Sequence, residues 1–268
     1  MPSALAAKLR TRMFGDKPTN MSVYHDLIAK SVEPGMTVLD VGCGRGLIAS
    51  YPWQNHEKIK LWGIDPDPTA AENPHLESFT LLTDDPNWKI PSGSVDLAVA
   101  RYVLEHVEDP IAFFRNLSRV LKPGGKFIFL TPNRWHPAMI ASHWLPYGLK
   151  QQILELTKRA DPQDVFPTCY LLNSARAVKQ AVQRCGLEAS ELQTREIQPC
   201  GYLDFSVLGY FTSYAYFAAM RLTGLQRFFG MTLTGVLTKP LMANTAGQAT
   251  SAEASLPSPA WQQVRAAT

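Results

Sequence analysis

From about residue 37 to residue 131, short apolar runs alternate with polar or helix-patterned stretches. The runs at 37–41, 61–64, 79–82, 95–100 and 127–130 have strand length, and several are almost continuously apolar. That is the pattern of parallel strands covered on both faces. Between the last two runs, Ile111, Phe114, Leu117 and Leu121 recur at helical spacing. Asp109 supplies an N-cap, Pro110 fits the first turn, and Pro123-Gly124-Gly125 marks the end. Ahead of the first strand, Tyr24, Leu27, Ile28 and Val32 predict an amphipathic helix. The alternation predicts an α/β fold built on a doubly wound, mostly parallel sheet. Past residue 131 the rhythm changes. Residues 134–170 form a long excursion with Leu149, Ile153 and Leu156 on one helical face, and Asn173 is placed to cap a helix ending at Gly186. Runs at 187–197 and 231–236 complete seven strands, with an aromatic-rich helical segment, 202–229, between them.

The first strand leads into Val38-Leu39-Asp40-Val41-Gly42-Cys43-Gly44-Arg45-Gly46. A strand ending in a glycine turn lets backbone N–H groups approach a ligand closely. Leu47 stands where a dinucleotide fingerprint has its third glycine, which argues against NAD or FAD. The loop alone is a weak signal. The next strand ends at Gly63-Ile64-Asp65, where a carboxylate can accept both ribose hydroxyls, and the third is followed by Asp84-Asp85. Each acid alone reads as a solvated turn or cap. Three of them at C-terminal strand ends point to the edge where open α/β sheets bind ligands.

Together with Ser94-Val95-Asp96-Leu97, Val103-Leu104-Glu105-His106-Val107 and Leu121-Lys122-Pro123-Gly124-Gly125, these elements resemble the class I S-adenosylmethionine-dependent methyltransferases. The resemblance is to the small-molecule group that includes ubiquinone-pathway enzymes, and it covers roughly residues 20–133. Val236-Leu237-Thr238-Lys239-Pro240 is similar to that group's closing strand. The resemblance implies a Rossmann-like fold and S-adenosyl-L-methionine as cofactor. It implies that Asp40 and the backbone of Gly42, Cys43, Gly44 and Gly46 hold the methionine portion, and that Asp65, followed by Pro66, holds the ribose. Asp84 or Asp85 meets the adenine, and Arg101 lies beside the cofactor. The loop at 86–91 is longer than usual for the family, so the choice between the two acids stays open. The expected organisation is a methyltransferase domain over 1–242, with a cofactor-binding half at 20–133 and acceptor-side insertions at 134–172 and 198–230. A tail at 243–268, rich in Ala, Ser, Thr, Gln and Pro, reads as disordered.

A sulfonium methyl is already activated, so alignment carries much of the catalysis. A hydroxyl acceptor gains further from a base. His106, just past the fourth strand, and His136, after the fifth, are the catalytic candidates, each with a competing packing role; His143 ranks below them, and His25, His56 and His75 read as surface residues. No spacing suggests a metal site. In the second insertion, Tyr202, Phe205, Tyr210, Phe211, Tyr214, Tyr216 and Phe217 occupy more than one helical face. They predict a helix buried all round, or else a roof over a hydrophobic acceptor or a peripheral membrane contact through 202–229.

Composition narrows the partners. The chain has 268 residues, 46% of them hydrophobic, enough for one large domain. A net charge of +3 with scattered Lys and Arg shows no nucleic-acid stripe. Four cysteines without paired spacing, and no apolar run behind Lys8, Arg10 and Arg12, fit a cytoplasmic protein. The longest apolar stretch, 205–220, is shorter than a membrane span requires. The expected function is methyl transfer to a small acceptor of hydrophobic, glycan or lipid type, at oxygen. The competing expectation is a catalytically inactive, cofactor-binding regulatory or scaffolding module on the same fold.

Overall fold

The computed structural model describes residues 3–46, 51, 58–83, 85, 87–144 and 168–241. Asp84, His56, the expected helix carrying Leu149, Ile153 and Leu156, and the tail lie outside the described residues. The sheet has seven strands: β1 Thr37–Val41, β2 Lys60–Asp65, β3 Ser78–Leu81, β4 Val95–Arg101, β5 Leu121–Pro132, β6 Glu188–Arg195 and β7 Thr232–Thr238. Their order is β3-β2-β1-β4-β5-β7-β6. The first five run parallel, and β7 is antiparallel to both β5 and β6. The doubly wound, mostly parallel architecture expected from the pattern is present.

Strand periodicity divides the core into two layers. Leu39 and Val41 join Ile64, Phe114, Leu117, Phe127 and Phe129 on one face. Val38 joins Tyr24, Ile28, Leu97, Val99, Ile128 and Leu130 on the other. Helix α1 spans Ala4–Phe14 and α2 spans Asn20–Ala29. Thr19 and Ser22 close a capping box at the start of α2, whose Tyr24 and Ile28 cover the second layer. The first layer is covered by α3, Pro110–Val120, where Asp109 accepts the Ile111 and Ala112 N–H groups as the cap read from sequence.

Pro123-Gly124-Gly125 does not terminate α3, which stops at Val120. The tripeptide lies inside β5, where a register shift opposite Val95 and Leu97 makes a bulge, and Gly124 N–H donates to Lys239 O at 2.8 Å. Helix α4 spans Pro137–Trp144 and α5 spans Ala175–Gln183. The cap of α5 is Ser174 rather than Asn173, because the Asn173 amide turns inward onto Thr131 Oγ1 (2.7 Å) and Pro132 O (3.0 Å).

Two excursions lie at the C-terminal edge of the parallel strands. The first, from residue 133, leaves the end of β5. The second, 196–231, leaves the end of β6 and returns to the start of β7 at the same edge, since Thr232 pairs with both Pro132 and Arg195. It carries α6, Val207–Leu222, and α7, Gln226–Phe229. Helix α6 is not buried all round. Tyr210, Ser213 and Phe217 face inward, with Phe217 edge-on to Phe14 of α1 at 5.9 Å, whereas Leu208, Phe211 and Leu222 are exposed. Contact with α1 covers only one side of it. Among the described residues, no helix is long and apolar enough to cross a membrane.

Gly235 of β7 marks how closely the antiparallel strands are packed. A Cβ there would fall 2.4 Å from Phe129 Cε1 and 2.7 Å from Leu192 Cδ2. Gly235→Ala is expected to cost about 1–3 kcal/mol, the range for overpacking. Urea denaturation reads this as a lower midpoint, and an unchanged midpoint contradicts the packing.

Candidate active site

β1 ends in a loop whose Gly42, Gly44 and Gly46 have φ of +74°, +51° and +76°, a region L side chains rarely adopt. Two of these positions are also closed by neighbours. A Cβ on Gly42 would lie 2.4 Å from Val103 Cγ2, and one on Gly46 2.5 Å from Asn73 Oδ1. At Gly44 a Cβ would meet nothing within 4 Å, which leaves the middle of the loop open to a ligand.

Asp65, buried at the end of β2, holds this loop. Its Oδ2 accepts the Gly44 N–H and its Oδ1 accepts the Asp67 N–H, both at 2.8 Å. Burial raises the carboxyl above its usual range, and the two N–H bonds oppose that shift. An ionised carboxylate has about four lone-pair sites, so capacity for ligand hydroxyls is left over. Pro66 is exposed, and Asp67 caps the short turn Pro68–Glu72. Asn73 donates to Cys43 O (3.3 Å) and Gly44 O (3.1 Å), fixing the loop from beneath. The Cys43 thiol packs where a Gly63 side chain would stand, and burial raises its pKa, so it stays a thiol. All four cysteines are unpaired.

Asp40 is buried on β1, where its Oδ2 accepts the Tyr51 hydroxyl at 2.6 Å. Burial pushes its carboxyl up to about 7 against the Tyr51 bond and Arg101. Arg101 closes β4 beside the glycine loop, with its Nη1 3.9 Å from Met21 Sδ of α2. His25, expected at the surface, lies on the flank of α2 beside Tyr24 instead. Both of its ring nitrogens are buried without a hydrogen-bond partner among the described residues, and burial, then Arg101, lower its pKa. Asp85 is exposed and accepts the Asn87 N–H at 2.9 Å.

The part of this edge beyond β4 is built around Glu105 in the turn Leu104–His106. Thr131 Oγ1 donates to Glu105 Oε2 (2.8 Å), and Asn173 Nδ2 donates to Thr131 (2.7 Å). The Glu105 carbonyl accepts the Cys169 and Tyr170 N–H groups at 2.7 and 3.1 Å. One residue thus ties together the ends of β4 and β5 and the return of the first excursion. Burial pushes the Glu105 carboxyl up to about 7, against its hydrogen bond from Thr131. Tyr102 and Tyr170 flank it with φ of +57° and +51°, non-glycine left-handed conformations that cluster at functional sites. In sequence Glu105 is an acid in an otherwise apolar turn, a signal that the family motif around it absorbs.

His106 is partly buried in the same turn. His136 is buried; its Nδ1 accepts the Ala138 N–H at 3.2 Å, which places the proton on Nε2, 3.7 Å from Glu196 Oε1. The Tyr216 ring of α6 packs edge-on to His136 at 5.3 Å. His136 and the fully buried Glu196 therefore bridge the two excursions. His75 is exposed against Tyr51, and the His143 side chain lies outside the described residues.

A family model described as a methyltransferase domain matches residues 4–192. The chain belongs to the class I S-adenosylmethionine-dependent methyltransferases. It is 30% identical over 142 residues to the ubiquinone biosynthesis O-methyltransferase of Sodalis glossinidius, covering 49% of this chain and 57% of that protein. It is 30% identical over 169 residues to the human thiol S-methyltransferase TMT1A, covering 59% and 62%. The chain thus spans somewhat over half the length of these curated relatives. Two solved structures share the fold. One is the methyltransferase solved with the Haloferax volcanii Trm112 activator (TM-score 0.53, 21% identity, 82% of this chain and 90% of that chain). The other is Haemonchus contortus phosphoethanolamine N-methyltransferase 2 with S-adenosyl-L-methionine (TM-score 0.51, 16% identity, 82% and 52%).

The methyl donor of this family is S-adenosylmethionine, and three features of the site fit it. The loop is open at Gly44, Asp65 has unused acceptor capacity, and the buried His25 nitrogens beside Arg101 lack hydrogen-bond partners among the described residues.

Glu105 also gives the site a pH signature. Its folded pKa lies above its unfolded value, so the folded state holds its proton more tightly, and stability falls as pH rises from about 4.5 through about 7. Asp40 contributes in the same direction. Glu105→Gln keeps an acceptor for Thr131 and is expected to remove on the order of 2 kcal/mol of that loss. Melting curves at pH 5 and pH 8 test this, and a variant whose fall in Tm equals that of the wild type contradicts it.

Proposed function

We propose that this chain transfers the methyl group of S-adenosylmethionine to an oxygen atom of a small, apolar acceptor. The observation that carries the reading is the glycine loop tethered to the Asp65 carboxylate at the edge where both excursions stand. Asp40 and the backbone of Gly42, Cys43, Gly44 and Gly46 would hold the methionine portion, Arg101 would lie beside it, and Asp65 would hold the ribose. Asp84 or Asp85 would meet the adenine. The bound cofactor supplies an electrophilic methyl on a sulfonium. The chain's own part is to align the acceptor, exclude water and receive a proton.

Support for an oxygen acceptor comes from the ubiquinone-pathway relative, which is an O-methyltransferase by name. A hydroxyl acceptor loses its proton as the O–CH₃ bond forms and the S–CH₃ bond breaks. His106 is the group we assign to take that proton, because it lies in the short turn that follows the end of β4, at the edge bearing the glycine loop. His136 instead acts as a positioning residue that holds α4 and Glu196 together beneath Tyr216.

Release of S-adenosylhomocysteine with a panel of apolar phenols, matched thiols and no acceptor tests the reading. Turnover is expected with phenols. His106→Ala is expected to lower kcat by about 10²–10⁴ while leaving cofactor affinity in place, the usual contribution of a general base. An unchanged kcat removes His106 as the base, and turnover with thiols alone overturns the oxygen acceptor. Cofactor binding without turnover across the panel favours the inactive regulatory or scaffolding module.

A further inference from the structure

We infer that the outward face of α6, with α7 and α1 beside it, docks this protein onto an anionic phospholipid surface. Leu208, Phe211 and Leu222 are 78%, 51% and 88% exposed. With the exposed Thr212, Ala215 and Ala219 they form one stripe at helical spacing. This stripe carries no charge along a 16-residue helix, roughly 24 Å. Exposed apolar side chains continue past both ends, with Leu203 and Phe205 before the helix and Phe228 and Phe229 after it. Single exposed leucines are ordinary, but a continuous apolar surface of this extent marks an interaction site.

The charges around the face select the occupant. Between residues 197 and 231 the charged residues are Asp204, Arg221 and Arg227. Asp204 is buried and held by Arg10 at 2.7 Å, so the exposed charges are both arginines. Their guanidinium groups stand over the Phe217 and Phe228 rings at 5.9 and 4.9 Å. Helix α1, packed on α6, adds Lys8 and Arg12 and contains no acidic residue. An apolar stripe bordered by cations complements acyl chains beneath phosphate headgroups. A second copy of this chain fits less well, because a two-fold contact across the face would juxtapose arginines with no exposed acid in the segment to pair them. The helix is too short to span a bilayer, so it lies in the interface. The excursion leaves and rejoins the sheet at the edge bearing the glycine loop, so docking turns the acceptor side toward the lipid. The inference stands independently of which acceptor atom is methylated.

Co-sedimentation of the full chain with phosphatidylcholine vesicles, with and without phosphatidylglycerol, tests it. The protein is expected to pellet with the anionic vesicles, less with neutral ones, and less as salt rises. The double variant Leu208→Asp with Phe211→Asp, both exposed positions, is expected to lower vesicle affinity by roughly tenfold or more while retaining cofactor binding. Arg221→Glu with Arg227→Glu is expected to abolish the preference for phosphatidylglycerol. Wild type left in the supernatant with anionic vesicles overturns the inference, as does undiminished pelleting of the Leu208/Phe211 variant. A dimer that this variant dissociates, with no vesicle binding, assigns the face to a second copy instead.

Discussion

The hydrogen bond from the Gly44 N–H to the Asp65 carboxylate is the contact on which the C-terminal edge of β1 and β2 depends. It joins the loop after β1 to the end of β2 across strands already paired in parallel register, Val41 against Ile64. Burying a carboxylate is costly unless hydrogen bonds replace water, and here two backbone N–H groups do so. The contact requires the loop to lie close to β2, and the missing Gly63 side chain leaves room for the Cys43 thiol. Asn73 then locks the loop carbonyls, which leaves no room for side chains at Gly46. The glycine spacing is thus a packing solution before it is a ligand signature.

The opposite wall is organised by buried acids. Glu105 gathers Thr131, Asn173 and the backbone at Cys169 and Tyr170, and Glu196 faces His136 beneath Tyr216. Such networks are expensive when partly satisfied and rigid when complete. Here Asn173 Oδ1, His136 Nε2 and Glu196 Oε2 are buried without a hydrogen-bond partner among the described residues, so the network is only partly satisfied. The second excursion has two surfaces with separate roles: Tyr210 and Phe217 pack inward, while Leu208 and Leu222 face outward.

Strands and the loop were legible in sequence because each announces itself locally. β1 and β4 are nearly continuous apolar runs, and Asp109 before Pro110 is a cap in two adjacent residues. Pairings between distant residues were not legible. Asn173 reads as a helix cap until Thr131, 42 positions away, claims its amide. His25 reads as a surface residue because its neighbours on α2 do not reveal Arg101 on β4. The Pro123-Gly124-Gly125 stop signal is local as well, yet its backbone is claimed by Lys239 after β7. The two faces of helix α6 are hidden in sequence for a related reason. A helix apolar on all faces looks buried all round, and only the contacts of α1 and the sheet edge show which side is left uncovered by the described residues.

The central claim is that Asp65 and the glycine loop together form the cofactor cradle. Calorimetric titration with S-adenosylmethionine of the wild type and of Asp65→Ala, each shown to be folded by its melting curve, tests it most directly. The account predicts saturable binding to the wild type and a loss of about 1–3 kcal/mol in the variant, the scale of lost hydrogen bonds to a charged group. Equal affinity in a folded variant would contradict it.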